Sequence, residues 1–507
     1  MSIENRFRMP LAASFILPLV ISAAYGKVIY VDDDAAGAHD GSNWANAYPC
    51  LQAALAVAQS GDEIRVAKGI YKPDRSLGTG RFSAIVASGD RAATFHLING
   101  VAVRGGYAGS GGPDADARDI ELYETILSGD LSGDDGPDFT NNAENSYHVV
   151  TGSESDTTAV LEGVTITGGN ANGVKPYHAG GGIYSLSGSL SSSPTLIHCT
   201  FSANRGNAGG AMANDGPGNA VLMNCTFIGN SADNYGGAIY NLGSSPLLTD
   251  CEFIGNSATD GGGILNWNDC RPTLTNCTFR GNSARSDGGA IHCHNSGMDI
   301  ERSSMIGNSA QHYGGGIYCD TSVQVVNSVI AGNSAMYGGG TYCYSSSPTI
   351  LNSTIVGNSA TGYGGGGIYC GNASPTAVNT ILWENGPDEI YLKYSSIDVS
   401  YCDVQDGWPG EGNIDADPLF VNVEGADGVI GTDDDDLHLL PGSPCIDAGE
   451  NLAVPESAVA DLDGGPRIIN GTVDMGAYEA TATSAATIHY VDAHATGNNN
   501  GSSWSNA

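Results

Sequence analysis

Hydrophobic and polar positions along this chain follow a long repeat and no helical one. Between residues 196 and 386, short runs rich in Val, Ile, Leu and Phe alternate with turns of Gly, Asn and Ser. In one unit, the runs Leu222–Ile228 and Ala238–Tyr240 flank Gly-Asn-Ser-Ala and a Gly-Gly pair. No run carries a 3.6-residue period over helical length. Gly-Asn-Ser-Ala recurs with its asparagines at Asn230, Asn256, Asn282, Asn308, Asn333 and Asn358, in steps of 26, 26, 26, 25 and 25. Looser copies place Asn204 before the series and Asn385 after it. A unit of this size holds three short strands and three turns, whereas a propeller blade needs about 40 residues or more. Stacked about 4.8 Å apart, such units make three parallel sheets wound around a core of inward side chains. The expected fold class is therefore all-β, a parallel β-helix with about 25–26 residues per coil.

Equal positions in successive coils must stack into columns. Phe201, Phe227, Phe253 and Phe279 stand three residues before an asparagine, and Met305, Ile330, Ile355 and Leu382 follow in register. They form an expected inward apolar column. The asparagines form a second column at a turn, where each amide can bond the coils on either side; asparagine also tolerates left-handed backbone. The Gly pairs, such as Gly236-Gly237 and Gly288-Gly289, mark a second bend.

The ends differ. Residues 1–24 read as an export signal: Arg6 and Arg8, an apolar run Leu11–Ala24 too short to span a bilayer, and the small residues Ser22-Ala23-Ala24. Residues 28–71 read as a strand–helix–strand cap, with the helix at Leu51–Gln59. The β-helix is expected over 72–400, with long loops such as Ser110–Arg118 and Asp130–Glu144. A C-terminal capping region is expected over 401–479, and a linker over 480–487. Residues 488–507 repeat the start of the first module: Tyr490-Val-Asp and Trp504 match Tyr30-Val-Asp and Trp44 at a fixed offset. A second module thus begins where the sequence breaks off.

Composition narrows the function. Nineteen Lys and Arg stand against 55 Asp and Glu, a net charge of −36. Such a surface repels DNA, RNA and anionic lipid. It suits a protein outside the cell, or one that loads divalent cations. No segment of the mature chain is long and apolar enough for a transmembrane helix.

The motifs Phe227-Ile-Gly-Asn230 with Gly236-Gly-Ala-Ile239, and Phe279-Arg-Gly-Asn282 with Gly288-Gly-Ala-Ile291, resemble the repeats of chlamydial-type polymorphic outer-membrane proteins. The resemblance covers about residues 160–390. It implies the wider superfamily of pectate-lyase-like, right-handed parallel β-helices, whose N-terminal plug the strand–helix–strand entry also resembles. Those surface proteins often end in an outer-membrane barrel, and the 507 residues contain no such barrel.

Candidate chemistry is sparse. Cys199, Cys225, Cys251 and Cys277 form one ladder, and Cys293, Cys319, Cys343 and Cys370 another. Both read as buried thiol columns or as sources of some disulfides. Cys402 and Cys445 are the best disulfide pair. Asp427, Asp433, Asp434, Asp435 and Asp436 offer either a solvated acidic loop or a calcium site. His292, His294 and His312 could gather a metal, but read more simply as turn histidines. Asp233, Asp260 and Asp287 recur near one turn and can line up as glycosidase carboxylates, or as surface decoration. Arg271-Pro272 faintly resembles a lyase arginine motif whose remainder is absent. No catalytic residue is assigned and no cofactor is expected beyond that calcium. The expected role is a non-enzymatic, adhesin-like or structural protein of the cell envelope or the medium, with extracellular glycans or host or neighbouring-cell surfaces as partners. The alternative is a polysaccharide-binding or polysaccharide-degrading lyase or glycosidase.

Overall fold

The computed structural model describes residues 26–78, 85–187 and 191–480. The export signal, most of the linker and the second-module start lie outside the described residues. Within them the chain winds into four parallel sheets of 13, 12, 11 and 8 strands. One coil shows the plan. Leu247–Thr249 belongs to the 13-stranded sheet, Glu252–Ile254 to the 12-stranded sheet, Ser257–Ala258 to the 8-stranded sheet and Ile264–Trp267 to the 11-stranded sheet. The next coil begins at Thr273–Thr275, directly beside the first strand. The fourth, narrow sheet adds to the three expected. It arises because the backbone beyond each asparagine still needs partners: Ser257 N–H donates to the carbonyl of Asn230 in the preceding coil.

Corners are short because left-handed residues sit at fixed places. Asp250, with φ of 54°, turns the chain between the first two strands of its coil. Gly255, with φ of 60°, turns it again before Asn256. The left-handed residue is thus the glycine, while the asparagines take other conformations. That division frees each asparagine side chain to point inward.

The Phe and Asn columns dominate one corner. Phe201, Phe227, Phe253 and Phe279 are buried in direct register, with ring centroids 4.7, 4.8 and 4.4 Å apart and planes within 5° of parallel. Beside them Asn256 Nδ2 donates to Asn282 Oδ1 at 2.9 Å and to the Phe227 carbonyl at 2.8 Å. Asn256 Oδ1 accepts from both the backbone N–H and Nδ2 of Asn230 at 3.0 Å. The same pattern runs from Asn204 to Asn385, where Glu389 closes the ladder by accepting from Asn385 N–H and Nδ2. Every amide in this dry corner is thereby satisfied, which is what burial of polar groups requires.

All twelve cysteines are buried free thiols. The expected Cys402–Cys445 disulfide is not formed. Cys402 points into the prism with the main core, whereas Cys445 packs outside it and donates to Asp403 Oδ2 at 3.1 Å. Cys402 and Asp403 are adjacent in the chain and face opposite sides, so the two sulfurs lie on opposite faces of the wall.

The ends also depart from expectation. The N-terminal helix spans Leu51–Leu55, shorter than Leu51–Gln59. Asp62 accepts from the backbone N–H of Gln59 and Lys27, which draws the chain into the strand Glu63–Ala67. Leu51, Ala54 and Leu55 join Ile29 and Phe95 in the core, so the helix covers the first coil. The region 401–479 divides in two. Trp408 packs on the end of the core, and Ile414 N–H donates to the carbonyl of Cys402. The remainder folds back along the outside, where Leu437 and Ala477 cover Val329, Ala331 and Val356. Those outward positions are polar or exposed in earlier coils, at Thr226, Ile228, Glu252 and Arg280, and turn apolar where the segment lies. Burial of that apolar strip holds the clamp.

Candidate functional site on the tyrosine face

Strands of the 11-stranded sheet alternate strictly. In Ile291–His294, Ile291 and Cys293 point into the core, and His292 and His294 point outward. Direct register then defines one outward column: Tyr184, Ala213, Tyr240, Leu265, His292, Tyr318, Tyr342, Tyr369 and Tyr391. The turn before each strand supplies a second column beside it, with Tyr235 bridged to Asp260, Asp287 to Tyr313, and Tyr313 to Tyr337. Tyr342 stacks on Tyr318 at 5.7 Å and on Tyr369 at 4.7 Å, with ring planes within 14°. Trp267 stands edge-on to Tyr235 and to His294, each at 5.0 Å. Rings stacked this way cover one another's faces and turn their edges to water. Tyr344 and Tyr363 remain open, at 45% and 81% exposure.

The aromatic run is interrupted at its middle by Asp260, Asp287 and His292. One ligand-type atom of each lies within 4.8 Å of the other two. Asp260 Oδ1 accepts from the backbone N–H of Asp287 at 3.3 Å. Burial, reinforced by the charge of Asp260, pushes the Asp287 carboxyl up to about 6, and burial raises Asp260 as well. His292 is 7% exposed, and burial lowers its imidazole to about 3, so the ring is neutral. Asp287 Oδ1 and His292 Nδ1 are buried without a hydrogen-bond partner.

The other candidates do not converge. Asp233 pairs with Arg205 at 2.9 Å and stands apart from Asp260 and Asp287. His294 Nδ1 meets Asp320 at 2.7 Å, and His312 is exposed beside Tyr313. Arg271 is held by Asp299 through both carboxylate oxygens, at 2.9 and 3.0 Å, on the surface. The acidic loop is spent on itself and its neighbours. Asp434 accepts from the N–H of Ala426 and Asp427, and Asp435 from Gly431 and Thr432; Asp433 pairs with Arg280, and Asp436 with His438. Asp427 accepts from the N–H of Val429.

Two other acidic groups gather among the described residues, Asp32–Asp33–Asp34 and Asp130–Asp134–Glu144, and both are carboxylates alone. Two shallow clefts, of 210 and 620 Å³, lie by Thr165 and Thr200 and by His96 and Ser153, and neither is lined by tyrosine or tryptophan.

Matching strings in the sequence did not reveal this face, because its columns change identity from coil to coil. The signal that could have found it was the Tyr immediately before each of Cys319, Cys343 and Cys370, read as an outward strand position. A second polar ladder was missed for the same reason: Asn214, Asn241 and Asn266 bond in series at 2.8 and 2.9 Å, and Asn266 Nδ2 then meets Cys293 Sγ at 3.5 Å.

A family model described as "Right handed beta helix region" matches residues 135–304 and 224–382, together a little under half of the chain. No curated protein sequence matches it. Among solved structures, a pectate lyase superposes with a TM-score of 0.46 at 15% identity, covering 91% of this chain and 98% of its own. A rhamnogalacturonan lyase superposes with a TM-score of 0.43 at 13% identity, covering 82% of this chain and 97% of its own. The chain is thus a right-handed parallel β-helix.

Proposed function

We propose that this protein is an exported, adhesin-like surface protein whose tyrosine face binds an extracellular glycan. The observation that carries the reading is the aromatic ridge itself: Tyr318, Tyr342, Tyr369 and Tyr391 stand in register, with Tyr342 and Tyr369 buried and Tyr318 and Tyr391 half-buried, and they are flanked by the half-buried Trp267 and the exposed Tyr344 and Tyr363. Tyrosine and tryptophan join an apolar body to a polar tip, which suits a ligand with both apolar C–H faces and hydroxyl edges. The ridge runs along the stack, so it matches an extended chain better than a small molecule. A net charge of −36 and the acids Asp260 and Asp287 disfavour polyanions, so the glycan is neutral. The likeness of the repeats to chlamydial-type polymorphic outer-membrane proteins supports display at the cell envelope.

A glycan array and soluble neutral polysaccharides test this reading. Binding by the wild type, weakened more than about tenfold (about 1.4 kcal/mol) in Tyr318→Ala, supports it. Binding that survives Tyr318→Ala, Tyr344→Ala and Tyr363→Ala together would place the ligand elsewhere.

The enzymatic alternative has one observation in its favour. Asp260 and Asp287 sit close, and Asp287 is poised near 6, as a carboxyl acid–base pair requires. Release of reducing ends or unsaturated sugars by the wild type, but not by Asp287→Asn, would carry that reading. Binding without release carries the first.

A further inference from the structure

We infer that Asp260, Asp287 and His292 form a binding site for a divalent transition metal ion of the zinc class. The three side chains come from two successive coils and the turn between them, so the scaffold brings them together without any local motif. One ligand-type atom of each lies within 4.8 Å of the others, a span that one ion closes by small side-chain rotations. Two carboxylates and one imidazole are a mixed oxygen and nitrogen set. That set suits zinc or a neighbouring transition metal better than calcium, which prefers oxygen alone.

Two features point to a ligand. His292 is more than nine-tenths buried, and its Nδ1 has no hydrogen-bond partner. Asp287 Oδ1 is buried and unpartnered as well. Such orphaned atoms are costly in a folded protein and call for an explanation. Tyr318 lies 4.4 Å from the His292 ring and packs against it from outside the site. With two carboxylates bound, the ion would carry no net charge into the face, and the mutual repulsion of the two acids would be relieved. Asp233, at the equivalent turn of the preceding coil, is paired with Arg205 and contributes nothing.

The site does not depend on glycan recognition, and with an ion bound Asp260 and Asp287 act as ligands and not as the free acid–base pair of the enzymatic alternative. The test uses the full chain, stripped with chelator, dialysed and titrated with Zn²⁺ by calorimetry, with metal content measured afterwards. One equivalent is expected, with affinity falling more than about tenfold in His292→Ala and in Asp260→Asn, and unchanged in Asp233→Asn. Zn²⁺ should also raise the Tm of the wild type and not that of the two ligand variants. Co²⁺ should give a d–d spectrum without a thiolate charge-transfer band, which separates this site from the buried cysteine columns. Should His292→Ala fail to fold, Asp260→Asn and the Co²⁺ spectrum still decide the matter. Absence of stoichiometric uptake, preference for Ca²⁺ over Zn²⁺, or uptake unaltered by both ligand variants would overturn the inference.

Discussion

Two regions of the same coils obey opposite rules. At the Phe–Asn corner each column keeps its chemistry: phenylalanine stacks on phenylalanine over four coils and gives way only to Met305, Ile330, Ile355 and Leu382, and asparagine bonds asparagine from Asn204 to Asn385. On the tyrosine face the column changes through its first half, as in Tyr184, Ala213, Tyr240, Leu265 and His292, and settles to tyrosine only from Tyr318 onward. A uniform column satisfies the scaffold, because an identical neighbour above and below completes its packing and hydrogen bonds. A column that changes cannot be explained by stacking alone. It places distinct chemistry at defined heights along an axis, and there aromatic rings meet two acids and a neutral histidine.

Substitutions can break this contrast. The largest loss of stability is expected in Asn256→Ala, which leaves the buried N–H of Asn230 without an acceptor, leaves its Nδ2 with the Phe201 carbonyl alone and removes the donor to Asn282 Oδ1, at about 1–3 kcal/mol for each bond lost. Urea unfolding measures it, and a loss under about 1 kcal/mol would mean that water replaces the amide. Phe253→Ala follows, at about 3–5 kcal/mol, because Phe253 is fully buried between Phe227 and Phe279. A third change sharpens the picture of the ladder's end. Burial raises Glu389 to about 7 from 4.5. The folded state therefore holds this proton more tightly than the unfolded chain. The resulting stability is complete below about pH 4.5 and is lost as pH rises through about 7. Glu389→Gln should flatten that part of the pH–stability curve, measured as unfolding midpoints from pH 4 to 8, and an unchanged slope would remove Glu389 from the account. The smallest effect on stability belongs to Tyr363→Ala, within about 0.5 kcal/mol because the ring is 81% exposed, while glycan binding weakens.

Much of the scaffold was legible because it is written in repeated letters. Asn230, Asn256 and Asn282 gave away the stack, Phe227 and Phe253 its inward side, and the spacing of Cys225, Cys251 and Cys277 their column of buried thiols. The narrow sheet at Ser257–Ala258 escaped notice, since two residues are too few for a strand pattern. The clamp of residues 420–479 escaped because its signal is a slow change, from Thr226 and Arg280 to Val329 and Val356, spread over four coils. The Cys402–Cys445 expectation failed because alternation along a strand sends Cys402 and Asp403 to opposite sides of the wall. Asp260 and Asp287 were visible as a recurring acid near a turn. What separated them from Asp233 was register: Asp260 and Asp287 each stand immediately before a Gly, a position held by Tyr235 in the preceding coil, while Asp233 lies two residues earlier and pairs with Arg205.

The claim at the centre of this account is that the outward tyrosine face of the 11-stranded sheet, and not the outward face of the 12-stranded sheet, is the ligand face. Hydroxyl-radical footprinting with and without a glycan identified on the array tests it most directly. The account predicts protection at Trp267, Tyr344 and Tyr363, with Ile228 and Ile254 on the 12-stranded sheet unaffected. Protection confined to Ile228 and Ile254, with the tyrosines unchanged, would contradict it.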